Sequence, residues 1–218
     1  MSPIVTRFNY VRHGESKSTV ARVIGGPRTC EGLSPLGIRQ AEHLRDRWKD
    51  QPEFTPDVVV ASQFARARQT AGIVAEAFGS PEVLIDEGFG EHDPGPDCDG
   101  MTMDDFVDRF GTGAWEDDPF GVTFPGGETL AAFQFRVGQA VRRFVDERAG
   151  QTILVCCHGG VIDAVLRQAL KTSPTGGFTI NTLNTSITEL ALVRPNMWSL
   201  RRYGDVAHLA GLPAATER

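Results

Sequence analysis

The run from Thr152 to Cys157 (TILVCC) is apolar at nearly every position. A strand with one wet face alternates apolar and polar residues. A run without that alternation is what a strand buried on both faces requires, as at the centre of a parallel sheet covered by helices. Asp57 to Ala61 is a second apolar run of strand length, Arg7 to Val11 a short first strand, and Val83-Leu84-Ile85 another. Helical patterns separate them. Ser34-Pro35 offers an N-cap followed by proline at the first helical position, and the helix it opens runs to about Asp50 with Ile38, Ala41, Leu44 and Trp48 at helical spacing. Ser62 is a candidate cap for a helix over Ala65 to Phe78, and further helices are expected over Glu128 to Arg148 and Val161 to Leu170. Two late strands, Ser186 to Val193 and Met197 to Tyr203, flank Pro195-Asn196, which suggests a tight connection. Strands alternating with helices imply a three-layer α/β/α sandwich around a mainly parallel sheet, which the last pair makes mixed if it forms a hairpin.

The 218 residues suit a single domain over 1–218. Between about 88 and 127 the chain is rich in Gly, Pro and Asp, with only a short helix expected around Thr102 to Phe110, and reads as an inserted lid lobe. Within it Asp93, Asp97, Asp99, Asp104, Asp105, Asp108, Glu116 and Asp117 face Arg109 alone and are expected to form a solvated surface. Phe106, Phe110, Trp115 and Phe120 could wall a pocket or form the lobe's own small core. A formal charge of −6 without a dense Lys/Arg cluster gives no support to a nucleic-acid partner. Arg142-Arg143 and Arg201-Arg202 read as isolated, solvated pairs. No apolar run reaches membrane-spanning length, so no membrane partner is expected. Cys30, Cys98, Cys156 and Cys157 lack zinc-type spacing and read as buried free thiols, which suits a reducing compartment. With no secretory pattern at the N-terminus, a cytoplasmic location is expected. The oligomeric state is open, a homodimer being one option.

In open α/β sheets, ligands bind beyond the carboxyl ends of the strands. Two expected strands end in the same step, His13-Gly14 and His158-Gly159. Glycine after each histidine permits a sharp turn and lets backbone N–H groups approach an anion. If the two strands are neighbours, both imidazoles reach one pocket. His43 is expected on a helix surface. No GxxxxGK[ST], HExxH or GxSxG is present, and Asp97 and Asp99 before Gly100 lack the spacing of a calcium loop.

Arg12-His13-Gly14-Glu15-Ser16 resembles the signature of the histidine phosphatase superfamily, which includes the cofactor-dependent phosphoglycerate mutases. Further blocks resemble that family in order. They are Ser34-Pro35-Leu36-Gly37 with Gln40-Ala41, then Ser62 to Ala71 (its "SxxxRAxQTA"), Asp86 to Gly95, and Phe124-Pro125-Gly126-Gly127-Glu128. His158-Gly159-Gly160-Val161-Ile162, Asn184 to Thr188 and Asp205 to Leu209 complete the series, which covers nearly the whole chain.

The resemblance implies a phosphohistidine formed on His13, with Arg12 and Arg66 holding phosphate oxygens through planar cationic forks. It implies His158 as a further phosphate ligand beside Gly159. A carboxylic acid would protonate the leaving oxygen and then activate water. Glu91 is preferred for that acid, with Asp86 the alternative. Thr19 stands where the family often has a phosphate-contacting Asn, and Ser18 replaces the usual aromatic before it; Thr19 is retained as a phosphate-pocket residue. Arg68 is expected to be structural. Taken singly, each of these residues has an ordinary explanation, such as a strand-end ion pair for Arg12 or a loop carboxylate for Glu91. Their joint placement points to a site.

No metal or cofactor is implied, because the arginines supply the charge. The expected activity is metal-independent hydrolysis of a small phosphomonoester, a sugar phosphate or similar metabolite. Long inserts in the mutases carry clustered basic residues, and the acidic lobe here favours a phosphatase. A mutase-type phosphotransferase and a non-catalytic phosphometabolite-binding module are the alternatives.

Overall fold

The computed structural model describes residues 5–111, 124–174 and 178–215. Trp115, Glu116, Asp117 and Phe120 lie outside them.

Six strands form one sheet: β1 (Thr6–Arg12), β2 (Val58–Ala61), β3 (Val83–Ile85), β4 (Thr152–Cys157), β5 (Ile187–Arg194) and β6 (Met197–Asp205). Their spatial order is β3-β2-β4-β1-β5-β6. The pairs β2–β3, β2–β4 and β1–β4 are parallel, while β1–β5 and the hairpin β5–β6 are antiparallel, so the sheet is mixed. The hairpin turns through Asn196, a residue that tolerates its positive φ of 59°. β4 lies inside the sheet with parallel neighbours on either side, which explains its unbroken apolar run. Ile153, Val155 and Cys157 enter one core and Leu154 and Cys156 the other.

Helices cover both faces. On one lie α2 (Pro35–Asp50) and α3 (Ala65–Ala75); Ala41, Leu44 and Trp48 of α2 and Ala71 and Val74 of α3 pack on Val11, Val59 and Leu154. On the other lie α6 (Leu130–Glu147) and α7 (Gly159–Leu170), whose Phe133, Val137, Phe144, Ile162 and Val165 meet Phe8, Tyr10 and Val155. The three-layer α/β/α architecture follows. No helix among the described residues is long and apolar enough to cross a membrane.

Ser34 caps α2 as its sequence promised, accepting from the Gly37 N–H at 3.0 Å. Ser62 does not cap α3. The N-cap position is Phe64 without a side-chain bond, and the helix yields to a 3₁₀ turn at Glu76–Phe78. Ser62 serves the site instead, as described below.

The described residues also include three short α-helices: α1 (Lys17–Val20), α4 (Gly95–Cys98) and α5 (Met103–Phe110). The lobe built on α4 and α5 is joined to the loop that follows α1. Val23 bridges Thr102, and the amides of Ile24 and Gly100 exchange bonds with the carbonyls of Met101 and Ile24. Ile24, Cys98, Phe106 and Phe124 form a small separate core there. Phe106 is thus core rather than pocket wall. Asp99 departs from the expected solvated face. Its side chain is 1% exposed and accepts from the Gly26 and Arg28 amides and the Thr29 hydroxyl.

Candidate active site

β1 and β4 pair in parallel with Arg12 opposite Cys157, so the next residue of each strand, His13 and His158, emerges at the same sheet end. Their rings lie 5.1 Å apart between centroids, inclined at 63°. Chain segments far apart in sequence hold the turn after His13. Gly14 packs so tightly on α2 that a Cβ there would sit 2.4 Å from the Gly37 carbonyl oxygen, and one on Gly37 would sit 2.0 Å from that of Glu15. Gln40 Oε1 accepts from the Glu15 amide at 2.8 Å, and the Ser34 hydroxyl donates to Glu15 Oε1 at 2.7 Å. Thr70 takes the Gly14 amide at 3.1 Å and passes its own proton to the Arg66 carbonyl. Asn184 Nδ2 donates to the His13 carbonyl at 2.9 Å. The blocks at residues 34–41, 62–71 and 184–188 therefore converge on the His13 turn.

His13 is buried, and its Nδ1 lies 2.7 Å from the Gly14 carbonyl oxygen, an acceptor. Nδ1 must carry the proton, which leaves the lone pair on Nε2. Arg66, 2% exposed, donates from Nε to His13 Nε2 at 3.1 Å and to His158 Nδ1 at 3.4 Å, and from Nη1 to the Gly25 carbonyl at 2.9 Å. Its guanidinium also lies over the Phe64 ring, 4.5 Å from the centroid. Ser62 Oγ lies 2.6 Å from His158 Nε2. With Nδ1 accepting from Arg66, the His158 proton resides on Nε2 and is donated to Ser62. Arg12 Nη1 donates to the Thr182 carbonyl.

A cavity of about 210 Å³ opens here, lined by Arg12, His13, Arg66, Glu91, Gly159 and Gly160, with Ile180, Asn181 and Thr182 as its far wall. Glu91 faces it with both carboxylate oxygens oriented by backbone: Oε1 accepts from the His92 amide at 3.0 Å and Oε2 from Gly160 at 3.1 Å. Asp86, the alternative acid, lies elsewhere. It caps the 3₁₀ turn Glu87–Phe89 and pairs with Arg143, outside the cavity lining. His158 is fully buried behind Arg66 and is not part of the lining either. Neither is Thr19, whose hydroxyl lies 2.9 Å from Ser16 Oγ in the cap of α1.

Sequence reasoning missed Ser62, Asn184, Thr70 and the 180–182 wall as parts of the site. Ser62 heads the block that contains Arg66, which was the available signal. Residues 180–182 carry no signal of their own. Arg68 is exposed on α3 and takes no part. His43 is exposed on α2, with Nδ1 donating to the His208 carbonyl. Cys156 and Cys157 are buried thiols, the former pushed up to about 12 by burial. Cys30 departs from the expectation: it is half-buried and its Sγ accepts from the Arg66 amide at 3.4 Å.

The sequence profile of the histidine phosphatase superfamily (branch 1) matches residues 10–206. The chain belongs to the histidine phosphatase superfamily. Phosphoglycerate mutase-like protein 4 of Arabidopsis thaliana is 31% identical, across 91% of this chain and 85% of its own length. The metal-independent phosphoserine phosphatase of the same plant is 26% identical, across 95% of this chain and 85% of its own. Among solved structures, the phosphoserine phosphatase of Entamoeba histolytica in complex with 3-phosphoglyceric acid matches with a TM-score of 0.77 at 25% identity, covering 94% of this chain and 99% of that one. Membership identifies the chain as an enzyme acting on phosphoryl groups. In this superfamily member the two histidines stand at the ends of neighbouring strands.

Proposed function

We propose that this chain hydrolyses a small phosphomonoester, without a metal ion, through a phosphohistidine on His13. One observation carries the reading. The Nδ1 proton of His13 is held by the Gly14 carbonyl at 2.7 Å, which leaves Nε2 nucleophilic in a cavity lined by two guanidiniums and one carboxylate. Nε2 attacks phosphorus as the ester P–O bond breaks, and Glu91 gives its proton to the leaving oxygen. The Glu91 carboxylate then takes a proton from water, whose oxygen attacks phosphorus; the N–P bond breaks and inorganic phosphate departs. Acid–base help of this kind is worth ~10²–10⁴-fold.

Arg66 and Arg12 offset the charge of the phosphoryl oxygens. A phosphoryl group entering the cavity draws the Arg66 Nε–H away from the two imidazoles. His158 Nδ1 then takes the proton that the ester's phosphate monoanion brings in, keeps Nε2–H on Ser62, and donates back to phosphate. Thr19 stays a phosphate contact only if α1 shifts toward the cavity. The chain is read as one catalytic domain over 1–218, acting in the cytoplasm.

The small polar cavity and the named substrate of the Arabidopsis phosphatase favour a compact phosphorylated amino or hydroxy acid. A mutase is the second reading, favoured by the 31% identical mutase-like relative. The acidic Asp93–Asp108 stretch opposes it, because a mutase also has to admit a bisphosphorylated primer, whose charge is higher than that of the monoester.

The test is phosphate release from a panel including phosphoserine and 3-phosphoglycerate, in excess EDTA, with His13→Ala alongside and 2,3-bisphosphoglycerate-primed isomerisation measured in parallel. Turnover indifferent to EDTA and lost in His13→Ala supports the phosphatase. Primed isomerisation without hydrolysis moves the assignment to a mutase. Binding of the esters with neither activity leaves a phosphometabolite-binding module.

A further inference from the structure

Glu128, in the Pro-Gly-Gly-Glu block, takes no part in the mechanism above, yet it is tied to a residue that touches most of the Glu91 loop. Arg136, on the second turn of α6, donates from Nε and Nη2 to Glu128 Oε1 and Oε2 at 3.0 and 2.8 Å. The rest of the guanidinium faces backbone carbonyls. Nη1 lies 2.9, 3.2 and 3.1 Å from the oxygens of Glu87, Gly88 and Gly90, and Nη2 lies 3.2 Å from that of Glu91. A guanidinium has five N–H donors in a rigid plane, and here every one has an acceptor. Glu128 binds the far side of the same loop. Its carbonyl accepts from His92 Nε2 at 2.6 Å, and its backbone N–H donates to Asp93 at 2.9 Å.

We propose that Arg136 is a positioning residue for the catalytic carboxylate: it fixes Glu91 relative to His13 by gathering the carbonyls of Glu87, Gly88, Gly90 and Glu91 onto one guanidinium. The inference rests on the role given to Glu91 above. Arg136 is absent from the cavity lining, so its effect on chemistry passes through the loop. The loop leaves β3 and has to present one carboxylate to a cavity whose other walls belong to β1 and the His13 turn, α3, α7 and residues 180–182. Four carbonyls directed at one point would repel one another without a cation between them. Lysine carries the charge but lacks the plane and the five donors. Releasing the loop lets the Glu91 carboxylate drift from the Gly160 amide that orients it.

The experiment compares kcat/KM for phosphoserine, an alkyl ester whose leaving oxygen needs a proton, with p-nitrophenyl phosphate, which departs as a stable phenolate. kcat/KM reports the step up to leaving-group release, so it isolates the acid's first task. Arg136→Met and Arg136→Lys are expected to lose roughly 100-fold on phosphoserine and less than about 3-fold on p-nitrophenyl phosphate. Glu91→Gln is the reference and should show the same leaving-group dependence, more steeply. In the Glu91→Gln background, Arg136→Lys should add almost nothing.

Equal losses on both esters, or none on either, would overturn the proposal while Glu91→Gln keeps its dependence. If Glu91→Gln shows no such dependence, the acid assignment itself fails and takes the proposal with it. Thermal melts accompany each variant. If Arg136→Met does not fold, Arg136→Lys and Glu128→Gln carry the same expectation, the latter at smaller size.

Discussion

Arg47 and Arg66 each sit in a polar cluster that includes histidine, and their partners differ in kind. Arg47 grips Asp205 through both Nη atoms at 3.0 and 2.7 Å and Glu53 through Nε at 2.7 Å; Arg202 joins the same two carboxylates. Two cations and two anions close on themselves, and Asp205 is held well below the usual carboxylate range, chiefly by its bond to Arg47. The bonds from Arg66 to His13, His158 and Gly25 run to neutral acceptors. A guanidinium gripped along both edges by carboxylates contributes to the fold. An N–H bonded to a neutral ring or carbonyl can exchange that partner for a phosphoryl oxygen at smaller cost.

The histidines differ in the same way. His208 is buried beside the Arg47 cluster, with Nε2 donating to the Thr185 hydroxyl at 2.9 Å and Nδ1 without a partner among the described residues. Burial, reinforced by the Arg47 charge, lowers it from 6.5 to about 4, so it stays neutral. It is a prop: the Thr185 amide donates to the Arg12 carbonyl, and adjacent Asn184 supports His13.

The contrast can be broken most sharply at His13. His13→Ala should lower kcat by ~10⁴-fold or more while the denaturation midpoint stays near that of the parent, because the role proposed for His13 is in chemistry rather than packing. Mass spectrometry of quenched enzyme should show a phosphoryl adduct in the parent and none in the variant. Arg66→Lys should cost ~10²–10³-fold, since an ammonium lacks the planar fork that meets two phosphoryl oxygens at once. Retention of most activity would mean that the field at the site has another source.

Next comes His208. Its folded form resists protonation, so the associated stability is present above pH 6.5 and is lost as pH falls from 6.5 toward about 4. The loss should reach roughly 3 kcal/mol. Urea denaturation of the parent and of His208→Gln across that window should reveal the slope in the parent alone. The smallest effect is expected from Asp205→Asn, about 1 kcal/mol of stability. Its kcat should stay unchanged, and a substantial loss of kcat would erase the division between the two clusters.

Much of the fold was legible because it depends on short-range physics. The N-cap and proline that open α2, the unbroken apolar run of β4 and the hairpin turn at Pro195-Asn196 each act over a few residues. The His-Gly steps were legible for the same reason, each being a strand followed by a residue that permits a turn. Ser62 misled because a serine three residues before a helix serves equally well as a cap or as a partner for a distant imidazole, and only His158 decides between them. Asp99 misled because an aspartate in an acidic lobe reads as solvated until a loop more than seventy residues earlier turns its amides toward it.

The sequence by itself determined the order of strands and helices, the two histidines at strand ends and the set of charged residues available to a phosphate. Tertiary structure decided which of them meet. Register across β1 and β4 brings His13 beside His158, and contacts between Gly14 and Gly37 aim the turn. Arg136 gathers the loop that turns Glu91, rather than Asp86, into the cavity. Local patterns follow from backbone geometry and burial over a few residues, whereas a site is a coincidence of side chains from five separate segments, and that coincidence exists only once the sheet has chosen its neighbours.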